Sequence, residues 1–118
     1  MEKRVIIGLS EPITILGKKE GSKQKKRIVH ARIDTGAKRS SLDILFAEKI
    51  GIYPSSRTVS IRSASGKTKR SLAHVTILIK GKPYHADFTL IDRSEMTYTC
   101  LIGRDILEQG FLIDPLKK

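Results

Sequence analysis

Cysteine, tryptophan and acidic side chains are what this chain lacks: it has one Cys, no Trp, three Tyr and three Phe, and Asp+Glu 12 against Lys+Arg 23. A lone thiol, Cys100, excludes an intrachain disulfide and fits a reducing compartment. So few rings leave a stacking platform for single-stranded nucleic acid poorly supplied. No apolar stretch approaches the ~18 residues of a membrane-spanning helix, and the N-terminus lacks the charged-then-apolar pattern of a secretory signal. We therefore expect no membrane association and a soluble, cytoplasmic protein. The shortage of acids leaves a formal net charge of +11, which attracts polyanions or acidic peptides at low ionic strength.

What is present reads as one all-β domain spanning residues 1–118. Apolar residues recur in short runs of β-branched character, bounded by Gly, Pro, Ser and charge clusters. The pattern predicts strands over 4–9, 13–16, 27–33, 57–63, 70–79, 84–91 and 99–102, with a short closing strand at 111–113. Ser10-Glu11-Pro12 reads as a turn, and the polar stretch 17–26 as a mobile hairpin loop. Brief helices are expected over 43–50 and 104–109, ended by Gly51 and Gly110. Ser63-Ala64-Ser65-Gly66-Lys67 joins two strands of opposite direction, with Gly66 where a hairpin tip needs φ > 0. Residues 57–70 hold five basic side chains and no acidic one. Such a cationic arm becomes a water-excluding lid if it folds over a cleft.

The most informative motif is Asp34-Thr35-Gly36-Ala37, delivered by the apolar-rich run 28–33 and answered by Leu101-Ile102-Gly103-Arg104-Asp105. A carboxylate at a strand end, held by Thr and Gly in a tight turn, is an acid or base placed for use. Taken alone the tripeptide also fits an ordinary Asx turn. Hydrolysis run by carboxylates needs two, one charged to take a proton from water and one neutral to polarise a carbonyl. A chain with one such motif supplies both only as a homodimer, the two Asp34 side chains meeting across a two-fold axis. Like charges a few Å apart cannot both ionise, so the pair shares one proton. A weak internal echo, a strand, Asp-Thr-Gly and a helix in the first half against Thr99-Cys100-Leu101-Ile102-Gly103 and a helix in the second, suggests two half-lobes about a pseudo-two-fold. That arrangement gives a small closed barrel with Asp34 at its mouth.

Together the Asp34 motif, the Gly66 hairpin and the Leu101-Ile102-Gly103-Arg104 block before a short helix resemble the retropepsins, the dimeric aspartic proteases of retroviral type. A closer likeness is to a prokaryotic retropepsin-like branch labelled ATP-dependent zinc protease, some members of which are associated with glutamate ligases that modify a ribosomal protein. The stretches that carry it are Ala31-Arg32-Ile33-Asp34-Thr35-Gly36-Ala37-Lys38, Phe88-Thr89-Leu90-Ile91-Asp92-Arg93-Ser94-Glu95-Met96, and Leu101-Ile102-Gly103-Arg104-Asp105-Ile106-Leu107 through Phe111-Leu112-Ile113-Asp114-Pro115. The resemblance implies a retropepsin-like closed β-barrel with one or two short helices and a flap hairpin, and a homodimeric aspartic endopeptidase. It makes Asp34 the catalytic group, with Thr35 bonding across the dimer and Gly36 giving close backbone approach. Ala37, Lys38, Arg39, Arg62, Ser63, Ala64, Ser65, Gly66 and Lys67 become substrate-binding residues. Gly103 and Arg104 become supports of the active loop.

The residues themselves call for no metal and no cofactor. There is no pair of His one helical turn apart with a Glu between, and no Gly-rich phosphate cradle with Lys; His30, His74 and His85 are isolated in predicted strands. One departure from the retroviral pattern matters. Acidic residues commonly follow Asp-Thr-Gly-Ala there, whereas Lys38 and Arg39 stand here. Arg104 then needs another partner: Asp105, Asp114 or a backbone carbonyl. The subsite turns from acidic to basic, and Lys38, Arg39, Arg62 and Lys67 favour a substrate rich in Glu or Asp, an oligoglutamate tail being the specific version. The alternative, from the charge, is a noncatalytic dimeric module of the same fold that binds RNA, the ribosome or an acidic protein.

Overall fold

In the computed structural model, which describes residues 3–117, the chain runs β1 (Val5–Ile7), β2 (Ser10–Glu20), β3 (Lys23–Ile33), β4 (Ser41–Asp43), α1 (Ile44–Lys49), β5 (Thr58–Ser63), β6 (Gly66–Ile79), β7 (Lys82–Ile91), β8 (Cys100–Ile102), α2 (Arg104–Leu107) and β9 (Phe111–Ile113). The strands β2-β3-β8-β4-β7-β6 form a ring that closes where Thr14, Ile15 and Leu16 of β2 pair with Leu78, Ile77 and Thr76 of β6. This is the retropepsin-like closed barrel. The strand β5 lies outside the ring, paired to β6 alone, and β1 and β9 make a separate parallel pair.

Alternation along the strands builds the interior. Ile13 and Ile15 of β2, and Val75, Ile77 and Ile79 of β6, point inward and are buried, while Thr14, Thr76 and Leu78 between them are only partly covered. Phe88, Leu42, Ala31 and Ile102 complete the same cluster. Each large apolar side chain moved from water contributes about 1.5–3 kcal/mol. The short helices pack onto this core through Ala47, Ile106 and Leu107.

A topological repeat is present, but its partners differ from the expected echo: β3 and Asp34 correspond to β7 and Asp92, and the stretch 99–103 with its helix corresponds to β4 and α1. In one half β3 runs parallel to β8, in the other β7 runs parallel to β4, and β4 and β8 meet antiparallel at the centre through Ser41 opposite Leu101 and Leu42 opposite Cys100. Each half ends its long strand on Ile-Asp: Ile33-Asp34 after β3 and Ile91-Asp92 after β7. Both aspartates close the same turn, Gly36 N–H donating to Asp34 Oδ1 and Ser94 N–H to Asp92 Oδ1, each at 2.9 Å. The two hydrogen bonds from Ser94 also hold the Asp92 carboxyl below its usual range.

Several expectations need correction. The stretch 17–26 is not a loop: β2 and β3 continue through it, with Lys19 opposite Gln24 and Glu20 opposite Lys23 beyond an irregularity after Leu16, and Gly21 at φ +59° in the tight turn. Its residues are mostly exposed on both faces, so no apolar alternation marked it. Ser10, Glu11 and Pro12 belong to β2 rather than to a turn; Pro12 precedes the segment of β2 that pairs with β6, so the missing N–H is tolerated at an open edge. Glu11 is buried there and accepts from Gly8 N–H at 3.2 Å. The three-residue β4 was missed, and α2 ends at Leu107, two residues early.

Candidate active site

The strand β3 carries Asp34 to the barrel mouth. Parallel pairing sets Ile33 opposite Ile102, and Asp34 N–H donates to the Ile102 carbonyl at 2.9 Å. The Asx bond from Gly36 occupies Oδ1, and Ala37 N–H reaches the Asp34 carbonyl at 3.3 Å. The Asx turn is thus the device that aims the carboxylate. Oδ2 makes no hydrogen bond among the described residues, and Asp34 is only half-buried.

The start of α2 clamps this loop from behind. Arg104 N–H donates to the Ala37 carbonyl at 2.9 Å and Asp105 N–H to the Lys38 carbonyl at 3.2 Å. Gly103 lies so close that a Cβ there would sit 2.8 Å from Ala37 O, Arg39 C and Arg39 O. Asp105 receives Ser40 N–H at 2.9 Å and Ser40 Oγ–H at 2.6 Å, while Ser40 Oγ accepts from Gly103 N–H at 2.9 Å. Ser40 is fully buried. Replacing Ser40 with Ala leaves Gly103 N–H unpaired and removes one of the two donors to Asp105 Oδ1, which keeps Ile106 N–H at 2.8 Å, and we expect a loss of about 1–3 kcal/mol in urea unfolding. A change within experimental error would mean that the network does not hold the loop.

Arg104 has found a backbone carbonyl: Nη1 donates to Thr35 O at 3.2 Å, and Nε stands 3.9 Å from Glu108 Oε1. Asp105 is taken by Ser40, and the Asp114 side chain accepts from Leu116 N–H.

A cavity of about 670 Å³ opens between the Asp34 loop and the β5–β6 hairpin. Gly36, Ala37, Lys38 and Arg39 form one wall, Val59, Ile61, Arg62 and Arg70 the other. The structure therefore brings together four loop residues expected from the sequence with Arg62 of the hairpin. It does not bring Ala64, Ser65, Gly66 or Lys67 to the wall; they are at the exposed hairpin tip, with Gly66 at φ +118° opposite Ser63. The Ser63 side chain lies outside the described residues. A second hollow, of about 450 Å³, holds Asp34 together with Arg32, Glu95, Tyr98 and Arg93. A third, of about 390 Å³, joins Thr35 and Arg104 to Phe111 and Ile113 of the terminal pair.

Arg93 and Leu101 line both of the first two spaces. Arg93 is 7% exposed. Its Nε donates to Tyr98 O at 2.8 Å and Nη1 to Ser41 Oγ at 3.0 Å, while its backbone N–H donates to Asp43 Oδ1 at 2.7 Å. Asp43 Oδ2 caps α1 by accepting from Phe46 N–H. Burial lowers the Arg93 pKa from the ordinary arginine value; neighbouring Arg32 acts in the same direction, and Asp43 and Asp34 act against it. Sequence reasoning gave no role to Arg93, Arg32 or Ser40, although Arg32 and Arg93 sit in the very stretches that carried the resemblance.

No cluster of three or more His, Cys, Asp or Glu side chains placed to hold a metal occurs among the described residues. His74 and His85 stack on each other with centroids 5.9 Å apart, both exposed on neighbouring strands β6 and β7. His74 Nδ1 lies 3.2 Å from Asp87 Oδ1, and Arg57 Nη1 2.7 Å from Asp87 Oδ2. The His74 hydrogen bond holds the Asp87 carboxyl below its usual range, and Arg57 adds to this against a desolvation that raises it. Cys100 is fully buried, which pushes its thiol up to about 12, far from a nucleophile's range. No helix among the described residues is long and apolar enough to cross a membrane.

Solved structures with this architecture include a Legionella pneumophila protein of unknown function, at 21% identity and TM-score 0.66, covering 93% of this chain and 92% of that one. The EIAV protease bound to an inhibitor matches at 22% identity and TM-score 0.59, covering 92% of this chain and 89% of its own. The simian foamy virus protease matches at 16% identity and TM-score 0.58, covering 84% and 91%. At these identities the likeness shows the fold. No curated protein matches the sequence. The family model described as RimB-like, retropepsin-like aspartic endopeptidase RimB, matches residues 48–118, from the end of α1 to beyond β9. The chain belongs to the RimB-like family of retropepsin-like aspartic endopeptidases.

Proposed function

We propose that two copies of this chain form an aspartic endopeptidase that hydrolyses acidic peptides between paired Asp34 carboxylates. The observation that carries the reading is Asp34 itself, held on an Asx turn with Oδ2 unbonded among the described residues, lining one hollow while the residues that follow it, with Arg62 and Arg70, wall the larger cavity. In the pair one carboxylate is ionised and takes a proton from a bound water, while the other, neutral, donates a hydrogen bond to the substrate carbonyl. The water oxygen bonds to the carbonyl carbon, giving a tetrahedral intermediate. Proton transfer to the amide nitrogen then breaks the C–N bond, and the shared proton returns to the pair. Gly36 leaves the loop without a side chain at this approach, and Thr35 faces the partner protomer. The β5–β6 hairpin serves as the flap, with Ser63, Ala64, Ser65, Gly66 and Lys67 reaching substrate when it closes.

The terminal pair supports assembly. Ile6 and Leu112 are cross-strand partners, 49% and 53% exposed, with Leu9 and Leu116 exposed as well. Two such faces would bury each other about a two-fold axis, next to the hollow that holds Thr35. Charge favours Glu- or Asp-rich substrates, oligoglutamate tails among them.

The test is a peptide library that includes oligoglutamate tails, incubated with the protein from acid to neutral pH and read by mass spectrometry, alongside sedimentation to establish the dimer. Cleavage concentrated in acidic sequences is expected. A stable dimer that cleaves nothing would overturn the peptidase reading.

A further inference from the structure

We infer that the hollow of about 450 Å³ beside Asp34 is a subsite for a substrate carboxylate, with Arg93 as its buried anchor and Arg32 as its exposed arm. The inference rests on the peptidase reading but locates acid selectivity in residues other than the exposed cations.

A guanidinium has five N–H donors, and the Arg93 side chain gives its protein hydrogen bonds to two neutral oxygens, Tyr98 O and Ser41 Oγ. No carboxylate oxygen lies within 4.0 Å of it among the described residues. Asp34 and Asp43 are near but make no ion pair with the guanidinium, so its burial is only partly compensated and a further anion there would be stabilised. Among the described residues, no buried side-chain nitrogen or oxygen lacks a partner, so the unbonded Nη2 has exposed surface rather than being sealed inside, and Arg93 lines this hollow as well as the larger cavity.

Position adds a second argument. Arg93 follows Asp92 in the turn after β7, the counterpart of the turn that places Thr35 after Asp34, so the repeat sets a cation beside one half's loop and the carboxylate on the other's. Arg32 lies two residues before Asp34 on β3 and therefore projects to the same side, into the same hollow. Glu95, exposed at the rim, is the remaining acid there. Exposed Lys38 and Arg62 act through water, so their pull on an acidic peptide is screened by salt; a charge-assisted, bidentate bond to a desolvated arginine is stronger and much less screened.

The experiment compares peptides that differ in a single Glu or Gln next to the scissile bond, measured as kcat/KM at low salt and at about 0.5 M salt. Wild type should favour Glu by about tenfold or more, with the preference surviving high salt. Arg32→Gln and Arg93→Lys, the latter keeping charge but not the fork, should each reduce that ratio, with unfolding midpoints read in parallel. Glu95→Gln should raise it. A wild-type ratio near one, or a ratio that salt removes and neither arginine substitution changes, would overturn the assignment. If no peptide is cut, the Asp34→Asn protein is titrated with labelled oligoglutamate and oligoglutamine. Selective binding of oligoglutamate that Arg32→Gln abolishes sustains the subsite although the peptidase reading has failed, and equal binding of both overturns the subsite too.

Discussion

Asn in place of Asp34 should lower peptide hydrolysis by at least about a thousandfold while leaving fold and assembly intact. The amide oxygen of Asn can still accept from Gly36 N–H, so the turn that Asp34 closes survives. What is lost is the ability to take a proton from water, which an amide does not do. The dyad reading makes a sharper forecast for mixtures. If wild-type and Asp34→Asn chains are unfolded together in equal amounts and refolded, random pairing leaves about a quarter of the dimers with two carboxylates. Activity should fall to about a quarter of that of undiluted wild type. A value near one half would mean that each protomer acts alone, and unchanged hydrolysis by the variant itself would remove Asp34 from the chemistry.

Gly103→Ala should damage stability and activity together. The added Cβ would meet Ala37 O, Arg39 C and Arg39 O at 2.8 Å, all backbone atoms that cannot swing aside. Either α2 withdraws, stretching the bonds from Arg104 and Asp105 to the Ala37 and Lys38 carbonyls, or the Asp34 loop shifts. We expect a cost of about 2–3 kcal/mol, or a melting temperature lower by roughly 6–12 °C for a chain of this size. Residual activity measured well below that temperature should also be reduced, because the wall formed by Ala37, Lys38 and Arg39 has moved. Wild-type melting and wild-type turnover together would show that the close approach places no demand on residue 103.

The parts of the site that the sequence made legible are those set by local chemistry. The run 28–33 leads straight into Asp34-Thr35-Gly36, a strand and a tight turn in adjacent residues, and the structure has both. The Gly66 hairpin and the Gly103 block were readable for the same reason. Ser40 and Arg93 were not, because their meaning is in contacts made far along the chain: Ser40 reaches Asp105 and Arg93 reaches Ser41 only once the barrel has closed. In the sequence Arg93 is one of 23 basic residues in a chain that displays most of them to water, so nothing singled it out. The partner of Arg104 was readable as a set of three and needed the fold to choose the carbonyl. The β2–β3 arm escaped for the opposite reason: strands covered on neither face carry no alternation to detect.

The clamp behind the Asp34 loop also has a consequence in time. Ser40 and Asp105 are 65 positions apart, and β3 finds its parallel neighbour β8 only when nearly the whole chain is available. Long-range parallel pairing of this kind forms late and slowly. A chain emerging from synthesis therefore exposes the Asp-Thr-Gly sequence, with its local turn donors, long before it owns the Arg104 and Asp105 donors that clamp the loop. A fragment ending before Gly103 would carry the carboxylate but not its geometry. On the peptidase reading proposed above, activity is then the last property the molecule acquires, and copies that lack the residues from Gly103 onward are expected to be inert.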